Sequence, residues 1–348
     1  MAPLRSLGNI RSAFDDFYAR TGKDAVTSSP VSYEASGGNA VSSPGNGYKY
    51  HLFTSPGNFV VSGRPGSVEY LVVASGGSGG SRHGSGGGAG GLRTNVSGNP
   101  KAGPALTVGP GSYAVVVAPG IPAFTSGGGG QPVSGPNAND GNQGDPASIA
   151  FPSPIAATGG GAGVQSPGPS PAIDGGSGGG RHDSNAHPDS PGNAGGYSPP
   201  EGNPGGVGGG PNAGGPGGNG HPIPAFASPI VGPMLTTAGV QGPYVTSFNN
   251  AVGPTGLYAG GGGGGQWSDP GGPSGGGGGG AGGPGNNSTS DSSGGLGGPG
   301  GGGNGGRGPG TLATVGLRHT GSGGGGAGGT GVSGEGGAGI VIIRYQFP

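Results

Sequence analysis

Ala338-Gly339-Ile340-Val341-Ile342-Ile343-Arg344-Tyr345-Gln346-Phe347-Pro348 is the most strand-like segment of the chain, with four consecutive β-branched residues, Ile340 to Ile343, followed by the aromatics Tyr345 and Phe347. A strand carries N–H and C=O groups along both edges, and once buried those groups must find partners. The expected partners lie far upstream, because a long stretch dominated by glycine comes directly before this segment. That stretch is therefore expected to be a closed, folded excursion rather than a loose tail.

Upstream, Tyr48 to Thr54 and Asn58 to Ser62 are apolar runs separated by Ser55-Pro56-Gly57, in which Pro presets one dihedral and Gly accepts positive φ. Val68 to Ala74 continues this meander after Arg64-Pro65-Gly66. Ala105 to Val108 and Tyr113 to Ala118 flank Gly109-Pro110-Gly111-Ser112, which predicts a second hairpin. With Ile340 to Phe347 these strands suffice for a small sandwich or jelly-roll-like pair of layers. The expected fold class is mainly β, with a short N-terminal helix and a small β-sandwich closed by the C-terminal strand. A glycine-rich domain is inserted between. The expected divisions are an anchor helix over 1–26, a linker over 27–47, a β module over 48–120 completed by 338–348, and the glycine-rich domain over 121–337.

In the first segment Leu7, Ile10, Phe14, Phe17 and Tyr18 recur at three- and four-residue spacing, which puts them on one helix face. A short isolated helix is marginal in water, so the stripe is expected to dock on a partner or to pack against the chain's own sheet. Residues 27–47 are rich in Ser, Pro, Gly and Asn and read as a linker.

Glycine accounts for 102 and proline for 37 of the 348 residues, a composition that by itself suggests low complexity. Yet only 8% of residues are charged and the formal net charge is −1, whereas disordered chains are usually held open by charge. That balance offers no long-range attraction for nucleic acid or an anionic membrane. Cysteine is absent, so neither a disulfide framework nor a thiolate metal site is available. Met1 to Arg20 lacks the apolar core of a secretory signal, and no run approaches the roughly 20 apolar residues of a membrane span. Synthesis in a cytoplasm without membrane insertion is expected.

The glycines have a period. Gly202, Gly205, Gly208, Gly214, Gly217 and Gly220 share one phase of three, as do Gly294, Gly297, Gly300, Gly303 and Gly306, and Gly325, Gly328, Gly331, Gly334 and Gly337. Three residues per turn is the geometry of a polyproline-II helix, and glycine at every third place lets such helices approach and bond through their backbones. Collagen shares this period, but the phased runs end after a few triplets at breaks such as Pro222 to Tyr258. Short runs between turns suit a bundle of parallel and antiparallel polyglycine-II helices, each about 40 Å long at a rise of about 3.1 Å per residue. The competing state is disorder, since ordering glycine loses more backbone entropy than ordering any other residue.

Phe53-Thr54-Ser55-Pro56-Gly57-Asn58-Phe59, Val68-Glu69-Tyr70-Leu71-Val72-Val73-Ala74, Gly86-Gly87-Gly88-Ala89-Gly90-Gly91-Leu92-Arg93 and Gly336-Gly337-Ala338-Gly339-Ile340-Val341-Ile342-Ile343-Arg344-Tyr345 together resemble the glycine-rich tail-fibre adhesins of tailed bacteriophages. The resemblance covers residues 48 to 348 and implies a virion protein that recognises a host surface polysaccharide or outer-membrane protein. It implies a rigid polyglycine platform whose end loops form the contact surface. Met1 to Asp24 departs from the shared pattern and reads as the anchor to other virion proteins of a tail, fibre shaft or capsid. Phage fibres are commonly trimeric, although no heptads here demand a trimer. A capsid fibre or decoration protein, or a self-assembling extracellular glycine-rich filament, are the alternative functions.

Catalytic patterns are poor. Arg181-His182-Asp183-Ser184-Asn185-Ala186-His187-Pro188-Asp189 gathers ligand types that zinc accepts, but Pro188 and the flanking glycines predict an exposed polar loop, and no second ligand cluster accompanies it. Gly275 to Gly280 lacks the Gly-Lys-Ser/Thr ending of a phosphate loop. No enzyme activity, metal or cofactor is expected. Side chains return in the breaks between glycine runs, and the candidate contact residues are His182, His187, Tyr197, Phe226, Tyr244, Phe248, Tyr258, Trp267, Arg318 and His319. Aromatic faces cover apolar sugar surfaces while polar neighbours meet hydroxyls. The competing reading is that Phe226, Phe248 and Tyr258 in particular pack the ends of the bundle.

Overall fold

The closing strand lies inside a sheet. A computed structural model describes residues 32–123, 140–165, 173–180, 191–206, 215–266, 294–307, 312–328 and 332–347. The expected anchor helix, with Leu7, Ile10, Phe14, Phe17 and Tyr18, falls outside these residues. In chain order the elements are β1 (Tyr33–Ser36), β2 (Ala40–Ser42), β3 (Tyr48–Phe53), β4 (Gly57–Gly63), β5 (Gly66–Val73), β6 (Leu92–Thr94), β7 (Leu106–Val108), β8 (Gly111–Val116), β9 (Ala147–Ile149) and β10 (Ile155–Ala157). Then come β11 (His221–Pro222), helices α1 (Ser228–Thr237) and α2 (Gly242–Val252), β12 (Leu257–Tyr258) and β13 (Ile340–Gln346). The protein is mainly β, with antiparallel sheets and two α-helices among the described residues.

A six-stranded sheet runs β2-β3-β13-β5-β6, with β7 also on β5, and a five-stranded sheet runs β1-β4-β8-β9-β10. β13 pairs antiparallel with β3 on one side, Ile342 opposite Leu52, and with β5 on the other, Ile342 opposite Leu71. Its side chains alternate between two cores. Val341, Ile343 and Tyr345 join Phe53, Phe59, Val72, Val115 and Ile149 in a cluster drawn from both sheets. Ile340 and Ile342 join Leu52, Leu71, Phe226, Leu235 and Phe248 in a second cluster shared with the helices. Burial on both faces explains why the strand reads as a continuous apolar run without alternation.

This placement corrects the expected meander. β3, β4 and β5 alternate between the two sheets, so Ser55-Pro56-Gly57 and Arg64-Pro65-Gly66 cross between layers and close no hairpin. The Gly109-Pro110-Gly111-Ser112 turn does the same, since β7 pairs with β5 and β8 with β4. The physical reason is competition: β13 occupies the place between β3 and β5 that a meander would have filled locally. The stretch read as a linker also contains β1 and β2, which pair with β4 and β3. Its Gly37 and Gly38, both at positive φ, turn the chain between these strands.

The glycine region starts earlier than expected, immediately after β5. Ala74, Gly77 and Gly80 donate their N–H groups to Gly91, Gly88 and Ser85; Ser75 and Ser78 donate to Asp145 and Asn142; Gly76 and Gly79 donate to Gly337 and Gly334. Successive residues thus bond to three different neighbours, and every third residue returns to the same one. Other neighbours run parallel, as where Gly324 and Ala327 donate to Gly77 and Gly80. All residues from Ala74 to Gly91 except Arg82 are buried. Hydrogen bonding to neighbours in this way offsets the desolvation of their backbones. A Cβ on Gly323 would overlap the carbonyl of Gly87, and one on Gly79 that of Gly325, so the packing excludes any side chain there.

Chain reversal at Arg82 and His83, both left-handed, separates the central segments 74–80 and 84–91. At an extended rise of about 3 Å per residue these span roughly 20–25 Å, shorter than the 40 Å expected from the glycine period. The domain limits shift with them: Gly76 to Gly91 belong to the glycine layer, whereas β9 and β10, placed by sequence in 121–337, extend the five-stranded sheet.

Candidate functional site

Pro222 to Tyr258, expected as a loop break, is a helical excursion closed by the β11–β12 pair. Pro lies in the first turn of each helix, where its missing N–H costs nothing. Val245, Phe248 and Val252 form the buried stripe of α2. Phe226, Phe248 and Tyr258 are 0–1% exposed and pack in the cluster under the six-stranded sheet, with the Tyr258 hydroxyl donating to the Phe226 carbonyl at 2.7 Å. These three rings are corrected from contact residues to core residues. They pack against the helices in a cluster that also holds Ala89 and Ala259 of the glycine segments.

Tyr197 is partly buried, with the Arg93 guanidinium 3.8 Å from its ring centroid. Its turn is tied by Asn193, whose Oδ1 accepts from the N–H groups of Tyr197 and Glu201. Glu201 is fully buried, accepting from Thr158 N–H at 2.8 Å and Gly195 N–H at 3.2 Å, so this turn fastens a satisfied carboxylate to the glycine layer. His182, His187 and Trp267 lie outside the described residues. Among the described residues no group of three or more His, Cys, Asp or Glu converges as a metal site requires.

The structure brings together Tyr244, Arg318 and His319. Tyr244 stands on the first turn of α2 and is 42% exposed. Arg318 and His319 sit in the turn before Gly321, whose N–H bonds to Ala338 beside the start of β13. They line a cleft of about 520 Å³ together with Val315, Leu317, Glu335 and Ala338. The site therefore lies at the end of the glycine layer that adjoins the sheets, where helix, glycine segment and strand meet.

Within the cleft the Arg318 guanidinium lies 5.3 Å from the Tyr244 ring centroid, a cation–π distance. His319 holds a left-handed φ of 63° and its Nδ1 is buried without a hydrogen-bond partner. Burial, opposed by a hydrogen bond to the Gly339 backbone and aided by the Arg318 charge, lowers the His319 pKa. The Glu335 carbonyl is tied to Gly316 N–H at 2.8 Å while its side chain is exposed. Arg318 and Glu335 do not form an ion pair with each other, whereas Arg344 and Glu69 do.

Sequence reasoning missed Glu335 and the apolar lining residues. The available signal was Gly334-Glu335-Gly336, since a lone charge within a buried glycine run must point outward.

With this geometry in place, a family model described as a glycine-rich domain matches residues 54–301. The chain belongs to the glycine-rich domain family. The match begins at the crossing from β3 to β4 and runs through the helices into the later glycine segments. No curated protein matches this glycine-rich domain protein.

Proposed function

We propose that the chain is a bacteriophage virion protein, a tail-fibre adhesin that binds a host cell-surface receptor without catalysis. In this reading the glycine layer is a polyglycine-II bundle and the two facing sheets are a β-sandwich closed by β13. Residues 1–26 anchor it to other virion proteins, and the contact partner is a surface polysaccharide or outer-membrane protein. The observation that carries the reading is the open cleft of Tyr244, Arg318, His319 and Glu335, held between a buried hydrogen-bonded glycine layer and a sheet strand. A ligand site built on rigid elements keeps its contact groups in place before the ligand arrives, which lowers the ordering cost of binding. The three-neighbour bonding of residues 74–80 supports the polyglycine-II reading, because three residues per turn directs successive N–H groups to three sides.

Immunogold electron microscopy of the intact particle, using an antibody to residues 181–200, combined with adsorption of purified protein to bacterial cells, tests the proposal. Tail-tip label with saturable adsorption is expected. Label over the capsid without adsorption would transfer the protein to the decoration class.

A further inference from the structure

The cleft is informative in its charge balance. It exposes one guanidinium and one carboxylate that leave each other unpaired, beside an aromatic ring and the apolar lining residues Val315, Leu317 and Ala338. A volume of about 520 Å³ lies within the range of about 300–1,000 Å³ usual for small-ligand sites. An anionic ligand would meet the Glu335 carboxylate and a cationic one the Arg318 guanidinium, so either gains at one side and loses at the other. An uncharged polyol satisfies both, since each hydroxyl donates and accepts.

We propose that this cleft binds an uncharged hexopyranoside unit of a surface glycan, with the apolar side of the sugar against the part of Tyr244 that Arg318 leaves open, vicinal hydroxyls accepting from Arg318, and further hydroxyls donating to Glu335. The planar Arg fork suits two adjacent oxygens, and the carboxylate takes up hydroxyl donors as an acceptor only. The inference rests on the adhesin reading for its biological setting and on the cleft alone for its chemistry.

The test is isothermal titration of the full chain with neutral oligosaccharides of glucose, galactose and mannose, and with polygalacturonate fragments, alongside cell adsorption. Variants Tyr244→Ala, Arg318→Ala and Glu335→Gln are compared, with melting temperature confirming the fold. Both Tyr244 and Arg318 are exposed, so intact folding is expected. Binding of at least one neutral sugar, weakened tenfold or more by each variant, with no binding of polygalacturonate, is the expected result. Preference for polygalacturonate, failure of every neutral sugar, or neutral-sugar binding untouched by all three variants would overturn the proposal. Cell adsorption that persists in all three variants would remove the cleft from receptor contact and leave the adhesin reading standing. Sugar binding without cell adsorption would do the reverse.

Discussion

The sheets and the glycine layer solve the same backbone problem with opposite materials. Around β13, large side chains fill both faces, and burial of Val341, Ile342, Ile343 and their neighbours supplies the stabilisation. From Ala74 to Gly91 nearly every residue is buried with almost no side chain, and backbone bonds to several neighbours take the place of apolar contacts. The sheets should therefore be sensitive to lost volume and the glycine layer to added volume.

The largest effect should come from adding volume. In Gly303→Val the new side chain would run into the Thr314 carbonyl and crowd Gly325 N at 2.8 Å, against backbone with no flexible end to yield. A loss of about 3 kcal/mol or more is expected in denaturant titration, at or beyond the upper end for overpacking. A melting curve equal to that of the unmodified chain would break the contrast. Removing volume from the sheet comes next. Ile342→Ala opens a cavity between β13 and the helices and should cost about 2–5 kcal/mol in the same titration.

Acid is a third route and acts on both regions, since burial lowers the pKa of His83 in the glycine layer to about 4 as it does that of His51 in the sheets. His51 is fully buried between the sheets, its ring 5.7 Å from Tyr345 and its Nδ1 2.8 Å from the Gly37 carbonyl, and burial lowers its pKa to about 4. The unfolded chain titrates near 6.5, so between those values it takes up a proton that the folded protein refuses. Stability is full above pH 6.5 and falls as the pH drops toward 4, by about 2 kcal/mol at pH 5 from His51 alone. Melting from pH 7.5 to 4.5 checks this, and the slope should shrink in His51→Gln. The smallest effect is a control. Gly45 has a φ of 83° but nothing within 4 Å of its added Cβ, so Gly45→Ala should cost only about 1 kcal/mol through strain.

The sequence made the strands of the sheets legible because their apolar runs are bounded by Pro and Gly, and β13 because its double burial leaves no polar position from Ile340 to Ile343. Their order was hidden: a Pro-Gly turn looks alike whether it closes a hairpin or crosses between layers. The helices were hidden because α1 carries Pro233 internally and neither helix has a side-chain cap. Of the cleft, Tyr244, Arg318 and His319 were legible as side chains returning among glycines. Phe226, Phe248 and Tyr258 gave the same signal and are core, because residue type alone does not distinguish a ring that faces solvent from one beneath a sheet.

Amide hydrogen exchange on uniformly nitrogen-15-labelled protein, read by NMR, tests the hydrogen-bonded glycine layer most directly. Gly76, Gly79, Gly87 and Gly324 donate to Gly337, Gly334, Gly324 and Gly77, and their amides should exchange many orders of magnitude more slowly than in a free peptide. Exchange at free-peptide rates in protein whose β13 amides remain protected would contradict a folded glycine layer.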